Sequence, residues 1–294
     1  GSFTWTTTRR KERLKKAVGG IKTLLESKMQ NDFALSEKKR EKYDVVVVSG
    51  QSNAEGFGYG ATSDEYVPDS RIEWLNDGED PAWEDNGAGG QRLRINLNGE
   101  KRISVAEEPV GRNGKLGKLS FLFCREYVRN GLLEDGRKLL IVNAAVGGTC
   151  FARNEWGVGN FLYERMKDLT FAALNLSDEN RIVAFLWHQG ESDAIENPSW
   201  NADMRYRRHY YNLRFQTETF FSVLGRRVPF IAGGFAGEWF NKTKEVCVPV
   251  LKAINDVCTD IGGAFVSAEG LKSNNELNGG TMAQAKPRAQ RQYS

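Results

Sequence analysis

The chain has 294 residues, 40% hydrophobic and 27% charged, which suits one large or two small globular domains and argues against wholesale disorder. The formal charge of +3 is too balanced for a dedicated nucleic-acid binder. The longest apolar runs, such as Val45–Val48 and Leu139–Val142, are far short of a membrane span, and no apolar run near the N-terminus reads as a signal peptide.

Residues 1–42 form a basic segment. From Arg9 to Lys42 there are twelve Lys/Arg and five Asp/Glu, a net +7 that leaves −4 to the rest of the chain. Leu14, Val18, Ile21 and Leu25 share one helical face, which Gly19-Gly20 weakens. A charge run of this kind is usually a solvated face, so a connector helix is expected. Nucleic acid is not expected as a partner, because the segment has almost no aromatic side chains to stack on bases. Gly1-Ser2 opens the chain without Met, as expected after removal of a leader or an upstream segment. The compartment stays open.

The main domain is expected over 43–280. Val45–Val48 is a continuous β-branched run, the pattern of a strand buried on both faces. Leu139–Val142, Ile182–Trp187, Val228–Ala232 and Gly263–Val266 repeat it. Leu116–Val128, Phe161–Leu174 and Tyr206–Leu224 suit helices between them. Strands alternating with helices imply an α/β fold with a central parallel sheet covered on both faces. Tyr59–Gly111, rich in Gly, Asn, Asp and Trp, reads as an insertion with a small hairpin: Arg92–Asn96, turn Asn98-Gly99, Lys101–Val105. Residues 281–294 form a divergent tail.

In open parallel sheets the site lies beyond the carboxyl ends of the strands. Ser49–Gly56, Asn143–Thr149, His188–Asp193 and Gly233–Glu238 all follow strands and are rich in glycine and polar residues. Ser52 is a natural nucleophile there, in a tight turn whose backbone N–H groups can receive an oxyanion. The plain alternative is a helix-capping serine. Cys124, Cys150, Cys247 and Cys258 lack CxxC spacing and the chain has two His, so no metal site is expected and the cysteines read as buried thiols. Trp156, Trp187, Trp239 and Phe235 fall near strand ends, where they can stack on a sugar or fill the core.

Gly50-Gln51-Ser52-Asn53, Gly147-Gly148-Thr149 and Trp187-His188-Gln189-Gly190-Glu191-Ser192-Asp193, in this order, resemble the carbohydrate O-acetylesterases of the SGNH hydrolase superfamily, in particular the sialate O-acetylesterase-like branch and its phage-borne versions. The resemblance runs from about Tyr43 to Leu277. It implies a flavodoxin-like three-layer sandwich and a serine esterase that removes O-acetyl groups from a carbohydrate, with no metal or cofactor. It further implies Ser52 as nucleophile, with the Ser52 N–H, the Gly148 N–H and the Gln189 amide as oxyanion donors. Gln51 and Asn53 would hold the nucleophile loop and contact substrate with Thr149. Glu191 would order the site's hydrogen bonds. Arg153 is suited to a sialic acid carboxylate, or is a surface arginine.

One departure stands out. The family's general base is a His in an Asp-x-x-His block after the last strand. Here Ala264–Leu271 looks like its lead-in, yet no His follows His209 and no Asp follows Asp260. His188, at the correct sheet edge, reads as a residue that supports the site or faces substrate, the alternatives being a satisfied half-buried imidazole or a surrogate base; His209, among Arg205, Arg207 and Arg208, reads as the exposed face of a helix. Slow esterolysis is therefore expected, the alternative being a glycan-binding or structural module on an esterase fold. The oligomeric state cannot be read from these residues.

Overall fold

The computed structural model describes residues 38, 41–56, 67–77, 82–88, 90–94, 101–107 and 118–271. The expected helix at Leu14–Leu25 and the tail 281–294 lie outside the described residues. The chain divides into two compact units, one of Glu41–Leu75 with Ser104–Ser294 and one of Gly1–Arg40 with Asn76–Ile103.

The larger unit is built on β1 (Tyr43–Gly50), whose eight residues are all buried, as its run of valines requires. Around it stand β2 (Ile72–Asn76), β5 (Arg102–Val105), β6 (Lys138–Asn143), β7 (Arg181–His188), β8 (Phe230–Gly233) and β9 (Ala264–Val266). The sheet order is β5-β2-β6-β1-β7-β8-β9, and the pairings β2·β6, β6·β1, β1·β7, β7·β8 and β8·β9 are all parallel. Because β1 is flanked by strands that come later in the chain, it is the point where the winding reverses, and a site is expected at its carboxyl end.

Both faces of the sheet are covered. On one, Val46, Val48, Ile141, Ala184 and Leu186 pack against Phe121 and Cys124 of α2 (Leu119–Arg129). On the other, Phe185 packs edge-on against Phe220 of α5 (Ala202–Leu224), and α3 (Phe161–Leu174) lies over β6 and β1. The short α1 (Ser52–Glu55), α4 (Glu191–Ile195) and α6 (Gly237–Lys242), with the long α7 (Lys244–Ile261), complete the helices of this unit among the described residues. The far end of β1 is held by charge. Buried Asp44 accepts from Arg137 Nε at 2.7 Å and Arg181 Nε at 2.8 Å.

The expected strands and the three helices are present; of the stretch read as an insertion, Asn76–Ile103 falls in the other compact unit, while two strands join the main sheet. Ile72–Asn76 forms β2, whose buried Glu73 accepts from the Tyr43 hydroxyl. An interior Glu breaks the apolar run that marks the other strands. The predicted hairpin is also corrected. Gln91–Arg94 (β4) pairs antiparallel with Ala82–Asp85 (β3), not with 101–105. The turn between them is fixed by side chains: Asp85 accepts from Gly87 N, and Asn86 accepts from Ala88 N and Gly90 N. β5 instead joins the edge of the main sheet beside β2, with Ala106 N donating to Ile72 O at 2.8 Å.

Candidate active site

β1 ends on a residue that must be glycine. Gly50 has φ +124°, and a Cβ there would lie 2.1 Å from His188 O. That contact lets Gln51 N donate to His188 O at 2.9 Å and turns the chain into α1. The Gln51 side chain then accepts from Gly190 N at 3.3 Å and Ser192 N at 3.2 Å. Ser52 is thereby set as the first residue of α1, where its backbone N–H has no intrahelical acceptor. Asn53 Nδ2 donates to Glu191 Oε1 at 2.6 Å, which ties the serine turn to α4, while Glu191 Oε2 is buried without a partner. Gln51 and Ser52 are both buried, and the Gln51 side chain orders the turn.

The segment after β6 wraps this turn. Val146 N donates to Gly50 O at 3.0 Å and Gly147 N to Glu55 Oε2 at 2.6 Å, just before and just after Ser52. Gly148 follows in the left-handed region, φ +72°. Its N–H has no acceptor among the described residues, whereas Cys150 N donates to Glu155 Oε2 at 2.8 Å and Phe151 N and Ala152 N donate to Asp193 at 3.1 and 2.9 Å. Burial raises the Glu155 pKa, against the pull of Arg153.

One expectation for this loop is corrected. Thr149 is buried, donating to Val146 O at 2.6 Å and accepting from Trp156 Nε1 at 2.8 Å, so its hydroxyl is spent inside the protein. Arg153 is exposed, as the surface reading expects, but its guanidinium is engaged within the protein. Its guanidinium donates to Glu155 at 3.0 and 3.1 Å, to Glu196 and to Gly148 O.

At the end of β7, Gln189 is fully buried, and its amide nitrogen donates to Asp193 Oδ2 at 2.6 Å and Thr149 O at 3.3 Å. Both acceptors are groups of the protein itself. His188 Nε2 lies 2.6 Å from Gly234 O. A carbonyl only accepts, so Nε2 carries the proton and the lone pair of the neutral ring is on Nδ1. His209 is not on an exposed face. It is 2% exposed, edge-on to Phe151 and 3.6 Å from Asp193 Oδ2, and burial lowers its pKa. The helical stripe that reads as basic in sequence has Arg207 and Arg208 outside and Arg205 and His209 inside. Among the described residues no hydrogen bond joins either imidazole to Ser52.

The aromatic residues near the strand ends belong to the core. Trp156 and Trp187 stack edge-on at 5.1 Å, and Phe235 and Trp239 are buried. The four cysteines are free and buried, and burial raises each thiol pKa. Among the described residues no cluster of His, Cys, Asp or Glu could hold a metal, and no helix is long and apolar enough to cross a membrane. Sequence patterns gave no role to Glu55, Glu155 or Asp193. Their one signal is that each sits within, or a few residues from, a glycine-rich strand-end block.

Comparison with known proteins places the family. The family described as carbohydrate esterase, sialic acid-specific acetylesterase matches residues 42–286. A protein of Arabidopsis thaliana named a probable carbohydrate esterase is 29% identical over 254 residues, covering 82% of this chain and 89% of that protein. The crystal structure of NanS superposes with a TM-score of 0.58 at 19% identity, over 79% of each chain. That of a carbohydrate acetylesterase from Xanthomonas citri superposes with a TM-score of 0.50 at 14% identity, over 81% of this chain and 54% of that one. With most of its length inside the family match and its fold shared with these structures, the chain belongs to the carbohydrate esterase family of sialic acid-specific acetylesterases, and is by class a carboxylic ester hydrolase.

Proposed function

We propose that the chain removes O-acetyl groups from a carbohydrate, sialic acid being the favoured substrate, through an acetyl-enzyme on Ser52. The observation that carries this is that the backbone N–H groups of Ser52 and Gly148 have no acceptor among the described residues, while the amides around Gly148 are tied down. Ser52 Oγ attacks the acetyl carbon and its proton passes to a base. The carbonyl oxygen gains the negative charge and is received by the N–H groups of Ser52 and Gly148. The tetrahedral adduct expels the sugar oxygen, which takes the proton back, and water then releases acetate from Ser52.

Of the two histidines in the sequence, His188 is the one that ends a strand at this edge, and its bare Nδ1 is the candidate base. With no imidazole already bonded to Ser52, turnover should be well below the enzyme median of about 10 per second. The same observation favours a second reading, a glycan-binding module. Hydrolysis of 4-nitrophenyl acetate and of O-acetylated sialic acid by the intact chain and by Ser52→Ala and His188→Ala separates the two. Loss of activity and of phosphonate labelling in Ser52→Ala supports the esterase. Glycan binding without hydrolysis supports the module. Full activity in Ser52→Ala overturns the Ser52 assignment, and full activity in His188→Ala overturns His188 as the base.

A further inference from the structure

Asp193 stands behind the site, 7% exposed, on α4. A carboxylate taken out of water is costly unless its oxygens are satisfied. Here they take three N–H groups: Ala152 N at 2.9 Å on Oδ1, and Phe151 N at 3.1 Å and Gln189 Nε2 at 2.6 Å on Oδ2. Consecutive backbone N–H groups turned onto one anion form a nest, which holds both the anion and the loop. The His209 ring is the neighbouring group at 3.6 Å, its nitrogens without a hydrogen bond among the described residues, where no guanidinium or ammonium pairs with Asp193 either, so hydrogen bonds balance the carboxylate.

What Asp193 grips is the downstream arm of the Gly148 loop. Through Phe151 and Ala152 it holds the chain directly. Through Gln189, whose other amide hydrogen reaches Thr149 O at 3.3 Å, it holds the peptide immediately after Gly148–Thr149. The upstream arm is held separately by Glu55 on Gly147 N. Gly148 sits between the two grips at φ +72°, a residue type with low intrinsic resistance to rotation.

We propose that Asp193 is a positioning residue for acyl transfer: acting through Gln189 and the amides of Phe151 and Ala152, it keeps the Gly148 N–H fixed for the developing oxyanion. This deepens the proposed Ser52 mechanism and rests on it. Gln189 then serves the reaction as a strut between Asp193 and Thr149 O. Preorganised donors act in the transition state and little in the ground state, so their loss lowers kcat and leaves KM nearly unchanged.

The test uses the full chain with Asp193→Ala, Asp193→Asn, Gln189→Ala and the Gln189→Ala/Asp193→Ala pair. Each is read by kcat and KM on 4-nitrophenyl acetate, by phosphonate labelling of Ser52, and by amide hydrogen exchange over 147–153. Asp193→Ala is expected to lower kcat by at least tenfold, towards the ~10²–10³-fold lost with one oxyanion donor, with KM within about threefold. Exchange should quicken at 149–152 and not in β1. Asp193→Asn keeps the volume but sets an NH₂ against backbone donors, so it should show the same pattern if Asp193→Ala does not fold. The double variant should cost less than the product of the single effects, because part of the action runs through Gln189.

Unchanged exchange at 149–152, or a KM rise with kcat unchanged, overturns the positioning role. So do effects of the two single variants that simply multiply. Failure of the Ser52 reading is seen separately, as an unlabelled Ser52 and an active Ser52→Ala variant. The exchange measurement decides the grip on the loop in either case.

Discussion

Replacing Gly50 by alanine tests whether the close approach of β1 to β7 sets the serine turn. The added Cβ would meet His188 O at 2.1 Å and His188 C at 2.6 Å, against an ordinary contact of about 3.5 Å. Neither strand can yield easily, because Gly50 and His188 are register partners in the sheet and Gln51 N is bonded to the same carbonyl. Overpacking of this kind costs ~1–3 kcal/mol. Holding a Cβ-bearing residue at φ +124° adds ~1–3 kcal/mol. A total near 4 kcal/mol is a large part of the ~5–15 kcal/mol that keeps a domain folded, and corresponds to a fall in Tm of ~8–16 °C. The matched control is Gly131→Ala, at φ +69° with nothing within 4 Å of the new Cβ, which carries the backbone cost alone. Urea and thermal unfolding measure both, and phosphonate labelling of the folded fraction reports on Ser52. Gly50→Ala should unfold earlier than Gly131→Ala and should label more slowly. Equal destabilisation of the two variants would refute the role given to the β1–β7 contact.

Asp44→Ala should destabilise the protein by about 3–5 kcal/mol, since it removes the carboxylate partner of the Arg137 guanidinium, whose side chain is 8% exposed; phosphonate labelling of the folded fraction should be unchanged, because Asp44 lies near the start of the strand whose other end carries the candidate site. Urea unfolding with labelling in parallel checks both halves. For His209, burial holds the folded pKa below the ordinary histidine value of 6.5, so the unfolded chain binds the proton more readily. Its neutral form thus contributes stability that is full above about pH 6.5 and is lost as pH falls from there towards the folded pKa. The slope from this one group approaches ~1.4 kcal/mol per pH unit, and His209→Gln should flatten it; an unchanged slope in the variant would rule His209 out as its source.

Much of the fold was written in local pattern. The continuous apolar runs at Val45–Val48, Leu139–Val142 and Ile182–Trp187 can be satisfied only by burial on both faces of a parallel sheet, and those strands stand at its centre. Glycine and polar residues after each strand marked the functional edge for the same reason. β2 was hidden because its interior Glu73 finds Tyr43 across the sheet, a partner 30 residues away that no local pattern reveals. β5 pairs at the edge of β2, a strand about 30 residues earlier that local turn signals do not point to.

At the site, residue type and order determined which backbone turns lie together, since Gly50 and Gly148 shape them through main-chain conformations that local sequence controls. What the side chains do was decided by tertiary structure. Gln189, Thr149 and Arg153 carry groups suited to a ligand, yet each is used up by a neighbour brought in from elsewhere in the fold: Asp193, Trp156 and Glu196. His209 likewise reads as solvated from its basic neighbours and is buried by α5 packing onto Phe151. Amide, hydroxyl and guanidinium groups bond to whatever acceptor or donor the fold places within reach, so their identity in the chain specifies a capacity, and only the packed structure assigns the partner.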